Sequence, residues 1–294
     1  MSGVLVIVNP EAGRGRARRE WDEVRRKLQA AGIAFDALLT TRRHEAMEIA
    51  EKESHARDCI VAAGGDGTVH EVVNGLMRAG GKAAFGLISL GSGDDFEKLL
   101  SPGNAIERLK SRNPRLFDVG RIACGGATRY FANGMDIGFG AHGAANVARV
   151  PRFLTGFGAY LGALFLTMVR YPKLNIELGV DDGPPERLAT TMTAAMNGTT
   201  FGGSFRVCPD AKPDDGLLDL LVVDAIGRLS ILQLVPKILR GAHAGDPRLR
   251  MARARRVAID SAEPLLVEAD GEVVFEDARR LEIDLLPGAL RVRG

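Results

Sequence analysis

A glycine stretch between an apolar strand and a helix constrains this chain more than any other feature. Residues 59–65 read CIVAAGG, an apolar run of strand length that ends in two glycines, and residues 66–76 read DGTVHEVVNGL. In the second stretch Val69, Val72 and Leu76 recur at the spacing of one helix face. The sequence therefore predicts a strand, a tight glycine turn and a helix.

The start of that helix has the chemistry of an anion site. Thr68 and Glu71 have the spacing of a capping box, which predicts that the helix begins at Thr68. A helix N-terminus offers unpaired N–H groups, and glycines let a phosphate approach the backbone. Asp66 would repel that phosphate unless a cation lay between them, so it indicates Mg²⁺ or Mg²⁺-bound water. A strand–helix corner also needs glycines for its own geometry, and this plainer interpretation stays open.

A second glycine loop follows another strand in the same half of the chain. The first 120 residues alternate between apolar runs of strand length and stretches with helical spacing. Such alternation predicts a parallel sheet covered by helices, with ligands at the carboxyl ends of its strands. In SLGSGDDFEKLL (89–100), Ser92 is a candidate phosphate donor, Asp94 a candidate helix cap, and Asp95 a second acid near the same sheet edge.

From about residue 120 the pattern changes to short strands separated by Asp, Gly and Pro, which predicts a mostly antiparallel second half. Gly125 and Gly126 mark a hairpin there. The uncharged stretch 153–169 falls short of a membrane span and is interpreted as a buried or interfacial helix. Arginine-rich GRGRAR (13–18) lacks the third glycine of a dinucleotide fingerprint and is interpreted as a solvated helix face, with contact to anionic phosphate or lipid as the alternative.

The composition argues against nucleic-acid binding and against a disulfide framework. The chain has 39 Lys and Arg against 37 Asp and Glu, a net charge of +2 that gives no indication of nucleic-acid binding. Its three cysteines are far apart in sequence and form no metal or disulfide pattern, which favours a reducing cytoplasm.

The two loops together resemble the diacylglycerol kinase catalytic-domain family, which includes bacterial lipid kinases, sphingosine kinases and ceramide kinases. The likeness continues in NGMDIGFGA (133–141), in MNGTTFGGSFRVCPDAKPDDGLLDLLVV (196–223) and in EADGEVV (268–274). It implies a Rossmann-like α/β domain similar to NAD kinases over residues 1–125. It also implies an antiparallel β-sandwich over 126–286, a cleft between the two domains, and a return of 287–294 to the first domain.

The resemblance implies an ATP- and Mg²⁺-dependent lipid kinase, with diacylglycerol as the leading substrate and phosphatidic acid as its product. A sphingoid base or ceramide, a soluble acceptor as in NAD kinases, and a non-catalytic nucleotide-binding regulator remain alternatives. The expected partners are ATP, the lipid and a transient membrane surface, without nucleic acid and with room for a homodimer. The expected location is the cytoplasm, peripheral to the inner face of the membrane. Stretches 151–173 and 248–256 are the candidate membrane contacts.

Site residues follow from the same motifs by position. The implied nucleotide-binding residues are Thr41, Gly64, Gly65, Asp66, Gly67, Thr68, Ser92, Asp95 and Asp118. A structural Mg²⁺ site is implied at the carbonyls of Lys212 and Leu217 and the carboxylate of Asp215. Asp270 and Glu272 match the catalytic acid pair, with Asp270 favoured as the base and Glu272 as its rival.

Two positions depart from the family pattern. The usual asparagine after GGDGT-x is His70, a feature of sphingosine kinases, and the usual asparagine of GTGNDF is Asp94. An ionised aspartate cannot donate the hydrogen bonds of an asparagine amide, so we expect Asp94 to change how this loop binds phosphate.

Overall fold

The computed structural model describes residues 3–80, 82–91, 93–111, 113–147, 149–150, 157–169, 171 and 173–294. The chain forms two compact units. Unit 1 contains Met1–Asp118 and Gly288–Gly294, and unit 2 contains Val119–Pro287. The division between them falls a few residues before the predicted boundary near residue 125.

Unit 1 is an α/β domain, as the alternating pattern predicts. Its elements are β1 (Val4–Val8), α1 (Ala12–Ala30), β2 (Asp36–Leu39), α2 (Glu45–Glu53), β3 (Cys59–Gly64), α3 (Asp66–Arg78), β4 (Ala84–Ser89), a 3-10 turn (Phe96–Leu99) and α4 (Ala105–Lys110). The strands pair in parallel in the order β2-β1-β3-β4. Every residue of β3 is buried, which explains why its sequence is a continuous apolar run.

The carboxyl ends of β1, β3 and β4 lie at one edge of this sheet, because parallel strands share a direction. The register pairs Val8 with Ala63 and Gly64 with Ser89, so the loops that follow all three strands begin side by side. The C-terminal residues also belong to unit 1, where Val292 pairs in parallel with Phe85 of β4.

Unit 2 is built mainly from antiparallel strands. Its elements are the end of β5 (Arg115–Cys124), β6 (Ala127–Phe131), β7 (Gly134–Gly138), α5 (Phe139–Val147), α6 (Phe157–Val169), β8 (Leu174–Val180), β9 (Glu186–Met196), β10 (Leu218–Asp224), α7 (Arg228–Arg240), β11 (Leu249–Ala254), β12 (Arg256–Ala269) and β13 (Glu272–Val292), whose last residues lie in unit 1. The predicted hairpin joins β5 and β6, with Gly125 and Gly126 both at positive φ. Ile122, Met135, Leu220 and Val267 belong to its main apolar cluster.

Candidate nucleotide-binding loops and catalytic turn

The first glycine loop makes the turn from β3 into α3. The helix begins at Asp66 with Gly65 as its N-cap, and no side chain caps it. The predicted start at Thr68 and the predicted capping box are therefore wrong. Glu71 instead accepts hydrogen bonds from the backbone N–H groups of His44 and Ala46, at the start of α2. Its carboxylate thus serves the N-terminus of a neighbouring helix.

Asp66 joins the first loop to the second. One carboxylate oxygen of Asp66 accepts a hydrogen bond of 2.9 Å from the backbone N–H of Asp95. The backbones of the two loops also touch, since a Cβ on Gly91 would lie 2.5 Å from the Cα of Gly65. Gly64 is needed for a related reason, because a Cβ there would lie 2.3 Å from the hydroxyl oxygen of Thr68. These glycines allow two loops and a helix N-terminus to pack together.

A third segment, which runs from the loop after β1 into the irregular first turn of α1, belongs to the same cluster, and its contacts with the other two loops were not predicted. The side-chain amide of Asn9 donates a hydrogen bond of 3.1 Å to the hydroxyl of Thr68. Gly13 has a positive φ, and a Cβ there would lie 2.6 Å from the carbonyl oxygen of Leu90. Arg16 donates to the carbonyl of Gly91 at 3.1 Å. The only available signal was the glycine pair after a strand in VNPEAGRG (8–15).

In the second loop, Asp94 adopts a left-handed backbone with a φ of 54°. Its carboxylate accepts a hydrogen bond from the Ser89 hydroxyl. Asp94 therefore does not cap the following turn as predicted, because it points back to the end of β4. Asp and Asn both favour this backbone region, and a carboxylate is a good acceptor for a hydroxyl. Ser92, a predicted phosphate donor, lies outside the described residues.

Asp95 is buried and pairs with Lys98, whose ammonium lies 2.7 Å from its carboxylate. The same ammonium donates to the carbonyl of Gly93 at 3.3 Å. The second loop therefore carries a cation beside its acid. Charge at this edge of the sheet comes from Asp66, Asp94, Asp95, Arg16 and Lys98.

Two predicted nucleotide residues contact other parts of unit 1. Asp118 is buried on β5 and accepts a hydrogen bond of 2.7 Å from the backbone N–H of Gly288, where the C-terminal segment enters the unit. Thr41 is exposed after β2, and its hydroxyl donates to Glu45 at 2.9 Å. Gly67 occupies the second position of α3.

The two predicted catalytic acids of unit 2 have different surroundings. Asp270 is buried in the turn between β12 and β13, and its carboxylate accepts hydrogen bonds from the backbone N–H groups of Ala132, Asn133 and Gly134 at 2.9–3.1 Å. Those bonds hold the start of β7 against the turn. Glu272 is half-buried at the first position of β13.

Beside this turn lies a pair of buried acids that the sequence analysis did not single out. Asp136 of β7 and Glu268 of β12 are directly opposed in the antiparallel register. Their side chains therefore share one face of the sheet, within reach of each other. They are 1% and 3% exposed, and the Glu268 carboxylate accepts a hydrogen bond from the backbone N–H of Gly271 in the turn between β12 and β13. The sequence signal was an acid inside each of two apolar strands.

The surroundings of Asp136 favour its neutral form. Burial raises the pKa of its carboxyl from 3.8 to about 7, opposed by a hydrogen bond from the backbone N–H of Ala141 at the start of α5. One of its oxygens is buried without a hydrogen-bond partner among the described residues. A Cβ on Gly140 would lie 1.8 Å from the other oxygen, so only glycine fits beside it.

The predicted Mg²⁺ turn offers oxygen atoms of the kind that hard cations prefer. Asp215 is exposed and accepts a hydrogen bond of 3.1 Å from the backbone N–H of Leu217; Lys212 is exposed in the same turn. Nearby Asp219 has a buried carboxylate oxygen without a described partner, and burial raises the pKa of this acid. Carboxylate and carbonyl oxygens suit Mg²⁺. Among the described residues, no three His, Cys, Asp or Glu side chains form a metal-binding group, so a cation here would need backbone carbonyls.

Comparison with known proteins decides the family. Residues 3–122 match the diacylglycerol kinase catalytic domain, and residues 131–294 match the YegS C-terminal NAD kinase β-sandwich-like domain. The chain belongs to the diacylglycerol kinase family of lipid kinases. This membership confirms the predicted enzyme class, a kinase acting on a lipid alcohol, and the predicted fold of an α/β domain followed by a β-sandwich domain.

Individual members are similar along nearly their whole length. A Pseudomonas aeruginosa protein named "Probable lipid kinase YegS-like" is 30% identical, covering 98% of this chain and 93% of that protein. A diacylglycerol kinase of Bacillus subtilis is 27% identical, covering 92% and 90%. A crystal structure of a diacylglycerol kinase from Bacillus anthracis has a TM-score of 0.74 at 22% identity, covering 98% and 95%. An Archaeoglobus fulgidus NAD kinase, solved in complex with ATP, shares the fold with a TM-score of 0.52 at 13% identity, covering 96% and 90%.

His70, the departure seen in sphingosine kinases, lies inside this lipid-kinase fold. Its side chain is buried on α3, and its backbone carbonyl accepts a hydrogen bond of 2.9 Å from the Asn74 amide. The same amide lies 3.4 Å from Nε2 of the His70 ring, so the ring also contacts the next turn of its own helix.

The structure gives different information about the two candidate membrane contacts, residues 151–173 and 248–256. Within the part of the chain that the structure describes, no helix is both long and apolar enough to cross a bilayer. Residues 151–156, 170 and 172 of the first contact lie outside the described residues. In the second contact, 248–256, four arginines form ion pairs: Arg248 with Asp246, Arg250 with Glu186, Arg253 with Asp219, and Arg256 with Asp284. Acids therefore neutralise much of its charge.

Proposed function

We propose that this family member transfers the γ-phosphate of ATP to the hydroxyl of a membrane lipid, with diacylglycerol as the substrate and phosphatidic acid as the product. The observation that carries the proposal is the convergence of three loops at one sheet edge, fastened by the hydrogen bond from the Asp95 backbone to Asp66. Glycine backbone and a helix N-terminus are the groups that bind phosphate chains in proteins. The fold neighbour solved with ATP gives the same expectation for the co-substrate.

In this proposal the nucleotide phosphates bind the loop backbones, including the start of α3, which has no side-chain cap. Asp66, Asp95 and Asp118 are the acids assigned to the Mg²⁺–ATP complex. Mg²⁺ supplies neutralisation of the charge on the phosphate oxygens when it is bound. Lys98, which is held 2.7 Å from Asp95, adds a second positive charge beside the phosphates.

Glu272 is the proton acceptor that we favour, in place of the expected Asp270. Three backbone N–H groups occupy the Asp270 carboxylate, so using it as a base would give up hydrogen bonds that fix the start of β7. In the proposed step, Glu272 takes the proton of the lipid hydroxyl as its oxygen bonds to the γ-phosphorus. The bond from that phosphorus to the ADP oxygen breaks at the same time. Asp270 is the residue that positions the turn.

A pair of variants tests this assignment. Glu272→Gln should abolish nearly all turnover while nucleotide affinity and melting temperature stay unchanged, because the amide cannot accept the proton. Asp270→Asn should lower the melting temperature as well as turnover, because an amide has only one oxygen for the three N–H donors. Full turnover in Glu272→Gln, with loss only in Asp270→Asn, would return the base to Asp270.

The regulator alternative rested on Asp94, the departure from the family asparagine. Its contact with Ser89 and its left-handed backbone are compatible with either residue, so the departure does not argue against catalysis. Sphingoid bases, ceramide and soluble acceptors remain outcomes of a substrate panel. A homodimer remains a prediction. The proposed location is the cytoplasm, at the inner face of the membrane, where a lipid hydroxyl and ATP are both accessible.

A further inference from the structure

Helices α6 and α7 of unit 2 expose large apolar side chains to solvent. Phe165 and Val169 of α6 are 70% and 62% exposed, and Leu229 and Leu232 of α7 are 71% and 52% exposed. Spacings of four and three residues place each pair on one helix face. We call these four side chains the α6–α7 surface. Single exposed apolar residues are common, but a group of four on two adjoining helices is a sign of an interaction site.

The two helices are fastened together at their ends. The guanidinium of Arg228, in the first turn of α7, donates hydrogen bonds of 2.8 Å to the carbonyls of Met168 and Val169 at the end of α6. On the inner side Met168 and Ile231 share a buried cluster with Phe139. The two helices that carry the α6–α7 surface therefore pack inward against the same buried cluster, which holds them beside each other.

The sequence stretches that contain these helices carry basic residues but no acids. Residues 137–176 and 225–245 contain α5, α6 and α7, and together they have seven Lys and Arg but no Asp or Glu. The whole chain has 37 acids in 294 residues, a frequency that would place about eight acids in these 61 positions. Lys237 of α7 is paired with Asp246, just beyond the second stretch, and the other basic residues leave both stretches with a net positive charge. Exposed apolar side chains on positively charged helices complement an interface of acyl chains and anionic headgroups.

We propose that the α6–α7 surface docks the protein on an anionic lipid bilayer, with Phe165 and Leu229 entering the headgroup region. This inference rests on the proposed function, because a kinase whose substrate is a membrane lipid must reach the bilayer. α6 has 13 residues, or about 20 Å at 1.5 Å per residue, against about 30 Å of hydrocarbon. The helix therefore lies along the interface, and α7 beside it supplies apolar residues that the sequence analysis did not assign to the membrane.

The test measures co-sedimentation of the full chain with two kinds of vesicle, one of zwitterionic phospholipid alone and one containing anionic phospholipid. The variants are Phe165→Ser, Leu229→Ser and the double variant. Leu39→Ser is the matched control, because Leu39 is an apolar residue 51% exposed on β2 of unit 1. Phosphorylation of a short-chain diacylglycerol, kept below its micelle concentration, is measured in parallel. This substrate removes the need for a bilayer.

We expect the native chain to prefer anionic vesicles and each serine variant to lower vesicle affinity about tenfold, while Leu39→Ser has no effect. Turnover of the monomeric lipid should stay unchanged in all variants. Equal vesicle binding by the native chain and the double variant would overturn the docking proposal while leaving the kinase proposal intact. Vesicle binding that depends on this surface, without phosphorylation of any lipid, would do the reverse. A dimer that the variants dissociate, without a change in vesicle binding, would assign the surface to a second copy and also overturn the proposal.

Discussion

Asp136 is a carboxyl group sealed inside unit 2, and its ionisation should make folding depend on pH. Its side chain is 1% exposed, and burial raises its pKa from 3.8 to about 7. The Ala141 N–H favours the charged form, but burial is the larger effect. Between these two pH values the unfolded chain loses the proton while the folded protein keeps it. The stability due to the raised pKa is fully present below pH 3.8 and is lost as the pH rises through about 7.

We predict that the Asp136→Asn variant does not show this loss of stability as the pH rises. The difference between 3.8 and about 7, at 1.36 kcal/mol per pKa unit, corresponds to about 4 kcal/mol. Asparagine does not titrate, and its carbonyl oxygen can still accept the hydrogen bond from Ala141. Its amide can donate to Glu268, the opposed acid. The variant should therefore gain unfolding free energy relative to the native chain as the pH rises from about 4 to about 8.

Urea unfolding of both chains across this pH range measures the effect. Asp246→Asn is a control of opposite sign, since hydrogen bonds from Arg248 and Lys237 hold the pKa of Asp246 well below its usual range. That substitution should cost most stability near neutral pH and progressively less as the pH falls. A stability difference between Asp136→Asn and the native chain that does not vary with pH would refute the reasoning about the buried carboxyl.

Three further predictions concern the glycine loops and the turn at 212–217 where Mg²⁺ binding is proposed. Gly91→Ala should cost about 1–3 kcal/mol of stability and weaken ATP binding, because its Cβ would lie 2.5 Å from Gly65; calorimetry giving native affinity would contradict this. Asp94→Asn should keep the melting temperature and lower the Kd for ATP several-fold, since it removes a negative charge beside the phosphates without losing an acceptor for Ser89; weaker binding would count against that placement. Asp215→Ala should abolish any rise in melting temperature caused by Mg²⁺, and an unchanged response would remove the proposed cation from this turn.

Local sequence patterns were enough to predict the helices, strands and turns whose structure depends on residues close together in the chain. The apolar run at 59–64 and the spacing of Val69, Val72 and Leu76 were enough to predict β3 and α3. Paired glycines at 125 and 126 were enough for the β5–β6 hairpin, because both must adopt positive φ.

Contacts between segments that are far apart in sequence could not be predicted from such local patterns. Glu71 has the spacing of a capping residue, yet its carboxylate bonds to the start of α2, 25–27 residues earlier. The opposition of Asp136 and Glu268 depends on strand register, which their own short motifs do not specify. The part played by Asn9 likewise requires β1 to lie beside β3. The sequence was therefore sufficient to identify candidate site residues, but not the hydrogen-bond partners that position them.

The most direct measurement is transfer of label from γ-labelled ATP in the presence of Mg²⁺ to a panel of diacylglycerol, ceramide, sphingosine and NAD. The proposed function predicts label in diacylglycerol, abolished in Glu272→Gln while that variant still binds ATP. Label in another lipid would change the substrate, and label only in NAD would contradict the lipid-kinase proposal. ATP binding without label in any acceptor would contradict catalysis itself.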